Sequence, residues 1–95
     1  MLDLNWTPEA LKDLRAIERW LIANRTPHVA MQALLDIRLR AQSLEEFPHA
    51  GRPERDGIRI LVVYGSGYLI FYRIIEAGVQ ILRVRNERED WQLAT

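Results

Sequence analysis

Arginine is the residue type through which this chain could act. Arg52, Arg55, Arg59, Arg73, Arg83, Arg85 and Arg88 crowd into its second half, and Lys12 is the only lysine. A guanidinium grips carboxylate or phosphate through two parallel hydrogen bonds, so the set suits planar, bidentate anion recognition. Two plainer readings exist: codon bias, or stems that cover a sheet edge and pair with Glu54, Asp56 and Glu87. Other chemistry is poorly provided for. His28 and His49 stand far apart and there is no cysteine, which leaves no metal-ligand spacing, no thiolate and no disulfide. Ser43 falls within a helical stretch and Ser66 in a turn, neither in the strand-to-helix elbow of a nucleophile. Glu45-Glu46 suits a solvated helix end, and no glycine pattern would cradle a phosphate. The sequence therefore predicts no catalytic residue, no metal and no cofactor.

Composition narrows the partners. The chain has 95 residues, enough for one domain spanning 1–95 with a modest core. Lys plus Arg equals Asp plus Glu at 13 each, so no global field draws the protein to nucleic acid, and direct DNA binding by the chain alone is not expected. No run approaches the roughly 18 to 20 apolar residues of a membrane span. The N-terminus has no basic segment leading into an apolar run, so a cytoplasmic location is expected.

The elements that must position the arginines are legible in the pattern. Ile58–Tyr64, Tyr68–Glu76 and Val79–Arg85 are rich in β-branched and aromatic residues and predict three strands. Gly65-Ser66-Gly67 and Ala77-Gly78 supply the positive φ angles of tight reversals, so the three should form an antiparallel meander. Leu2–Trp6 alternates as a short first strand. Thr7-Pro8-Glu9 and Thr26-Pro27 each read as an N-cap with proline at the first helical position. They predict helices from Pro8 to about Ala23 and from Pro27 to about Glu46. The apolar stripe of the first is Leu11, Leu14, Ile17 and Leu21. That of the second is Ala30, Ala33/Leu34, Ile37, Ala41 and Leu44, widened by Met31, Leu35 and Leu39. A stripe so wide suggests a helix packed on both a partner helix and a sheet. Phe47–Gly57 has the composition of a loop, and Asn86–Trp91 that of a mobile or short helical tail. The expected fold class is α+β, in the order β-α-α-β-β-β, with a helical hairpin on one face of a small antiparallel sheet.

Strand alternation predicts where side chains point. It sets Arg83 and Arg85 on one side of the last strand with Val79 and Ile81, and Leu82 and Val84 on the other. In the middle strand Ile70, Tyr72 and Ile74 share one face, Leu69, Phe71 and Ile75 the other. Two helices can cover only one face, so an exposed apolar and basic sheet surface is expected, which is the mark of a partner site.

The chain resembles the RelE/ParE superfamily of toxins from type II toxin–antitoxin modules. The resemblance rests on Trp6-Thr7-Pro8-Glu9-Ala10 running into Asp13-Leu14-Arg15-Ala16-Ile17, on Phe47-Pro48 with Gly51-Arg52-Pro53, and on Gly57-Ile58-Arg59. It continues through Tyr68-Leu69-Ile70-Phe71-Tyr72-Arg73 and Ile81-Leu82-Arg83-Val84-Arg85. It covers nearly the whole chain in order, and it implies the same element order as the pattern above.

The resemblance also implies a choice of target. RelE-like members cut messenger RNA on the ribosome, with an arginine after the glycine–aromatic pair that opens the middle strand; here that position is Leu69. Cleavage through a 2′-hydroxyl needs a base, an acid and a cation on the developing phosphorane charge, and leucine supplies none of these. ParE-like members commonly end their last strand in Arg-Val, one residue, histidine, a small residue and Arg. Here the stretch runs Arg83-Val84-Arg85-Asn86-Glu87-Arg88, with Asn86 where a histidine is frequent. The ParE-like branch implies a toxin that inhibits DNA gyrase by protein contact and is neutralised by a cognate antitoxin. The alternatives are a ribosome-dependent mRNA endonuclease and a non-toxic binding module of the same fold. On the ParE-like reading, Arg83, Arg85, Asn86, Arg88 and Trp91 are the expected target contacts. Arg59, Tyr68, Tyr72 and Arg73 are the expected antitoxin contacts.

Overall fold

The computed structural model describes residues 2–88. Its elements run β1 (Asp3–Trp6), α1 (Pro8–Asn24), α2 (Pro27–Gln42), a 3-10 turn (Ser43–Glu45), β2 (Arg52–Pro53), β3 (Ile58–Val63), β4 (Tyr68–Ile75) and β5 (Gly78–Asn86). Both helix starts follow from their caps. The Thr7 and Thr26 hydroxyls accept from the amides of Ala10 and Val29, each at 3.1 Å, with Pro8 and Pro27 opening the helices. The second helix stops earlier than its pattern suggests. The Ser43 hydroxyl donates to the Arg40 carbonyl at 2.6 Å, and this back-bonding accompanies a tightening into 3-10 geometry.

The sheet has five strands in the order β1-β5-β4-β3-β2. The expected meander is present: β3, β4 and β5 are antiparallel neighbours, with Gly65 and Gly67 at φ 85° and 79° in the first reversal. Two features depart from the expected all-antiparallel sheet. β1 lies parallel to β5, with Asp3 opposite Gly78 and Trp6 opposite Ile81. The loop also contributes β2, antiparallel to β3.

The helices cover one face. Ala10, Leu14 and Leu21 of α1 and Ala30, Ala33, Ile37 and Ala41 of α2 pack on Leu61, Val63, Ile70, Tyr72, Val79, Ile81 and Val84. The second helix corrects an expectation. Met31, Leu35 and Leu39 are 69%, 48% and 56% exposed, so the wide stripe is not buried between helix and sheet. Its alanine-rich side, with Ile37 and the half-buried Leu34, faces inward, where small side chains let the backbones approach.

The sheet's other face is less open than expected. Ile60 and Leu69 are buried there, and Ile58, Val62 and Phe71 are half-buried. The register sets Arg52 beside Ile60, Arg73 beside Ile58 and Arg85 beside Leu69. Arginine stems so placed can lie along their apolar neighbours and cover them. Exposed large apolar side chains gather instead on α2, at Val29, Met31, Leu35 and Leu39.

Candidate functional site

A β-bulge decides how the arginines of β5 are aimed. Phe71 pairs with Arg83 but Tyr72 with Ile81, so Leu82 is the extra residue. Alternation is broken there, which corrects the expected grouping. Val79, Ile81 and Val84 all face the helices, while Arg85 lies opposite Leu69 on the helix-free face.

Arg83 turns to α1. Its Nε and Nη2 donate to the two carboxylate oxygens of Asp13 at 2.8 and 2.9 Å. Asp13 Oδ2 also accepts from the Val84 amide at 2.9 Å. The position explains the contact. β1 ends at Trp6, the Thr7 amide and hydroxyl take the carbonyls of Ile81 and Leu82, and Asp13 then serves the next amide along the edge. With 40% of the arginine side chain exposed, solvent screens the ion pair to about 0–1 kcal/mol. Loss of the amide's acceptor adds about 1 kcal/mol. Asp13→Ala should therefore lower stability by about 1–2 kcal/mol, and Asp13→Asn, whose amide oxygen can still accept, should recover part of it. Urea unfolding reads this as a midpoint shift at constant slope, and an unchanged midpoint for the alanine variant would refute the role.

Asn86 and Arg88 sit at the end of β5. Asn86 is opposite Tyr68, and its Oδ1 accepts from the Arg88 amide at 2.8 Å, closing a local turn. The Glu87 amide donates to the Gly67 carbonyl at 2.8 Å, tying that turn to the β3–β4 reversal. Asn86 and Arg88 line a cavity of about 520 Å3 with Ala16, Ile17, Trp20 and Tyr68. The expected target contacts are thus not one patch. Arg85 faces the helix-free side, Arg83 is held by Asp13, and Asn86 and Arg88 border α1. Trp91 lies outside the described residues.

The expected antitoxin contacts divide too. Tyr72 has no exposed surface to offer a partner. Its hydroxyl donates to the Pro48 carbonyl at 2.7 Å and accepts from the Gly51 amide at 2.8 Å. Arg59 works on the same loop, donating from Nε to the Gly51 carbonyl at 3.0 Å and from Nη2 to the His49 carbonyl at 3.2 Å. Both residues hold the Phe47–Pro53 segment rather than an open surface. Tyr68 is buried beside the α1 cavity. Of the four, Arg73 alone is exposed, on the helix-free face opposite Ile58.

Sequence reasoning missed Asp13, Ala16 and Trp20 as site residues. Their spacing carried a signal: Asp13, Ala16, Ile17 and Trp20 fall at i, i+3, i+4 and i+7, one side of α1. No group of three or more metal-ligating side chains occurs among the described residues, and no described helix is long and apolar enough to cross a membrane.

Comparison with known proteins places this geometry. The family described as ParE toxin of type II toxin–antitoxin system, parDE, matches residues 4–91. The chain is similar to "Toxin RelE2" of Caulobacter vibrioides, 36% identical over 86 residues, which covers 90% of this chain and 96% of that protein. Among solved structures it is similar to one described as "Chromosomal ParDE TA system from P. aeruginosa". The TM-score is 0.82 at 30% identity, covering 90% of this chain and 96% of that one.

Proposed function

The chain belongs to the ParE toxin family of type II toxin–antitoxin systems, and from that premise we propose that it arrests growth by binding DNA gyrase through protein contact. Membership of such a family implies a cognate antitoxin as partner. The observation that carries gyrase over RNA cleavage is position 69. Resemblance to the ribonuclease branch would set a catalytic arginine there, and this chain has a leucine that is buried in the sheet. Losing one preorganised donor to a transition-state charge costs about 3–4 kcal/mol, roughly 100- to 1,000-fold in rate. Arg59, the basic residue of β3, is engaged with loop carbonyls, and the basic residue opposite Leu69 is Arg85 of β5.

The antitoxin is assigned to the α2 stripe. Met31, Leu35 and Leu39 recur at i, i+4 and i+8 along one side of a helix, which suits an amphipathic partner helix. Arg38, exposed beside that stripe, and Arg40, whose guanidinium lies 5.2 Å from the Tyr64 ring centre, favour acids on the partner. Added salt should then weaken binding moderately.

Inducing the chain without its antitoxin tests the target in cells. Gyrase trapping leaves broken DNA, so the DNA-damage response and filamentation should appear while protein synthesis continues. An immediate halt of protein synthesis with no damage response would overturn the proposal.

A further inference from the structure

We propose that the pocket between α1 and the end of β5 receives an anchoring apolar side chain of the toxin's protein target, with a target carboxylate beside it paired to Arg88. The inference rests on the toxin reading above. It adds to the target surface a part of α1 that the arginine pattern does not indicate.

The pocket follows from the two-sidedness of α1. Ala10, Leu14 and Leu21 face the core, while Ala16, Ile17 and Trp20 form an adjoining strip toward the last turn of β5. Tyr68 is buried beneath, and Asn86 and Arg88 close the far side. A volume of about 520 Å3 falls within the roughly 300–1,000 Å3 of ligand-binding clefts, ample for an aromatic or branched side chain. Trp20 is 55% exposed at its wall, and tryptophan and arginine are the residue types at which interface energy concentrates.

Charge indicates the chemistry of the occupant. Arg88 is the one charged residue among the described residues lining the pocket, and on α1 Arg15 and Arg19 stand exposed to either side of Glu18. The Glu87 carboxylate lies near Gly67. An apolar side chain flanked by an acid therefore fits the pocket better than one flanked by a base. The position separates target from antitoxin. α1 lies over β5, whereas α2, with its long exposed stripe, lies over β3 and β4. A stripe along a helix suits a partner helix, while a single pocket suits one anchor.

The test fills the pocket without touching the core. Ala16 is exposed on its helix, so Ala16→Trp occupies the space and should leave thermal unfolding unchanged; Trp20→Ala removes the wall, and Arg88→Glu reverses the charge. Each full-length variant is induced without antitoxin, and each is titrated with the purified product of the neighbouring reading frame. About a 10-fold or greater rise in the toxin dose needed for growth arrest is expected, with antitoxin Kd within about 3-fold of wild type. Undiminished arrest by Ala16→Trp and Trp20→Ala would overturn the proposal. So would loss of antitoxin binding, with or without loss of arrest, since the pocket would then serve the antitoxin. The wild-type control keeps the two readings apart. Arrest without gyrase inhibition removes gyrase as the target but leaves the pocket's test in force, while absence of any arrest overturns both.

Discussion

Replacing Gly78 by alanine should cost the fold about 3 kcal/mol or more, the largest effect expected of any one-methyl change in this chain. Gly78 opens β5 at φ 154°, paired with Asp3 of the parallel strand β1. A Cβ there would lie 2.2 Å from the Asp3 carbonyl oxygen and 2.8 Å from its amide nitrogen. Both are backbone atoms, so no side chain can swing aside; either β1 withdraws or β5 twists. Loss of β1 would uncover Val79 and Ile81, both fully buried. A domain of this size loses about 4–8 °C of Tm per kcal/mol, so the variant should melt more than about 10 °C below wild type. A shift of only a degree or two would mean that β1 is not held against β5 as described.

The second large effect concerns the antitoxin. Changing Leu35 and Leu39 together to aspartate sets two charges on the apolar stripe of α2, at side chains outside the core cluster of the free chain. Each anchor lost from the centre of an interface typically costs about 2 kcal/mol or more, and an unpaired buried charge costs further. Capture by the antitoxin should weaken about 100-fold or more, with growth arrest retained and stability lowered by only about 1 kcal/mol, the helix-propensity cost of two aspartates. A double variant that still binds within about 3-fold of wild type would move the antitoxin to another surface. The helix-free face, where Arg73 is exposed, would be the next to test.

What the sequence disclosed and what it hid divide along a physical line. The helix starts were legible because Thr7-Pro8 and Thr26-Pro27 satisfy orphan amides with side chains only a few residues away. The β3–β4–β5 meander was legible because its glycine turns are local signals. The parallel pairing of β1 with β5 had no such signal, since its partners lie some seventy residues apart and four residues of alternation fit either direction. The bulge at Leu82 was hidden because no glycine marks it, and it carries the error in the aim of Arg83 and Arg85. Periodicity identified α2 as apolar but could not say which half of a wide stripe is buried. The alanines lie inward and Met31, Leu35 and Leu39 outward because the inner side must fit closely against the sheet. Tyr72 and Arg59 were recognised as belonging to the family pattern, and the structure gives them an intramolecular part in holding the Pro48–Gly51 loop.

The central claim is a toxin that acts on gyrase and not on message. Purified toxin, free of antitoxin, is added in parallel to gyrase supercoiling of relaxed plasmid and to translating ribosomes with message ends mapped. Inhibited supercoiling or accumulated cleaved plasmid, with messages intact, is the predicted result. Codon-phased message cuts beside untouched supercoiling would contradict it, and Arg73 or Arg85 on the helix-free face would then have to supply the cation that Leu69 does not.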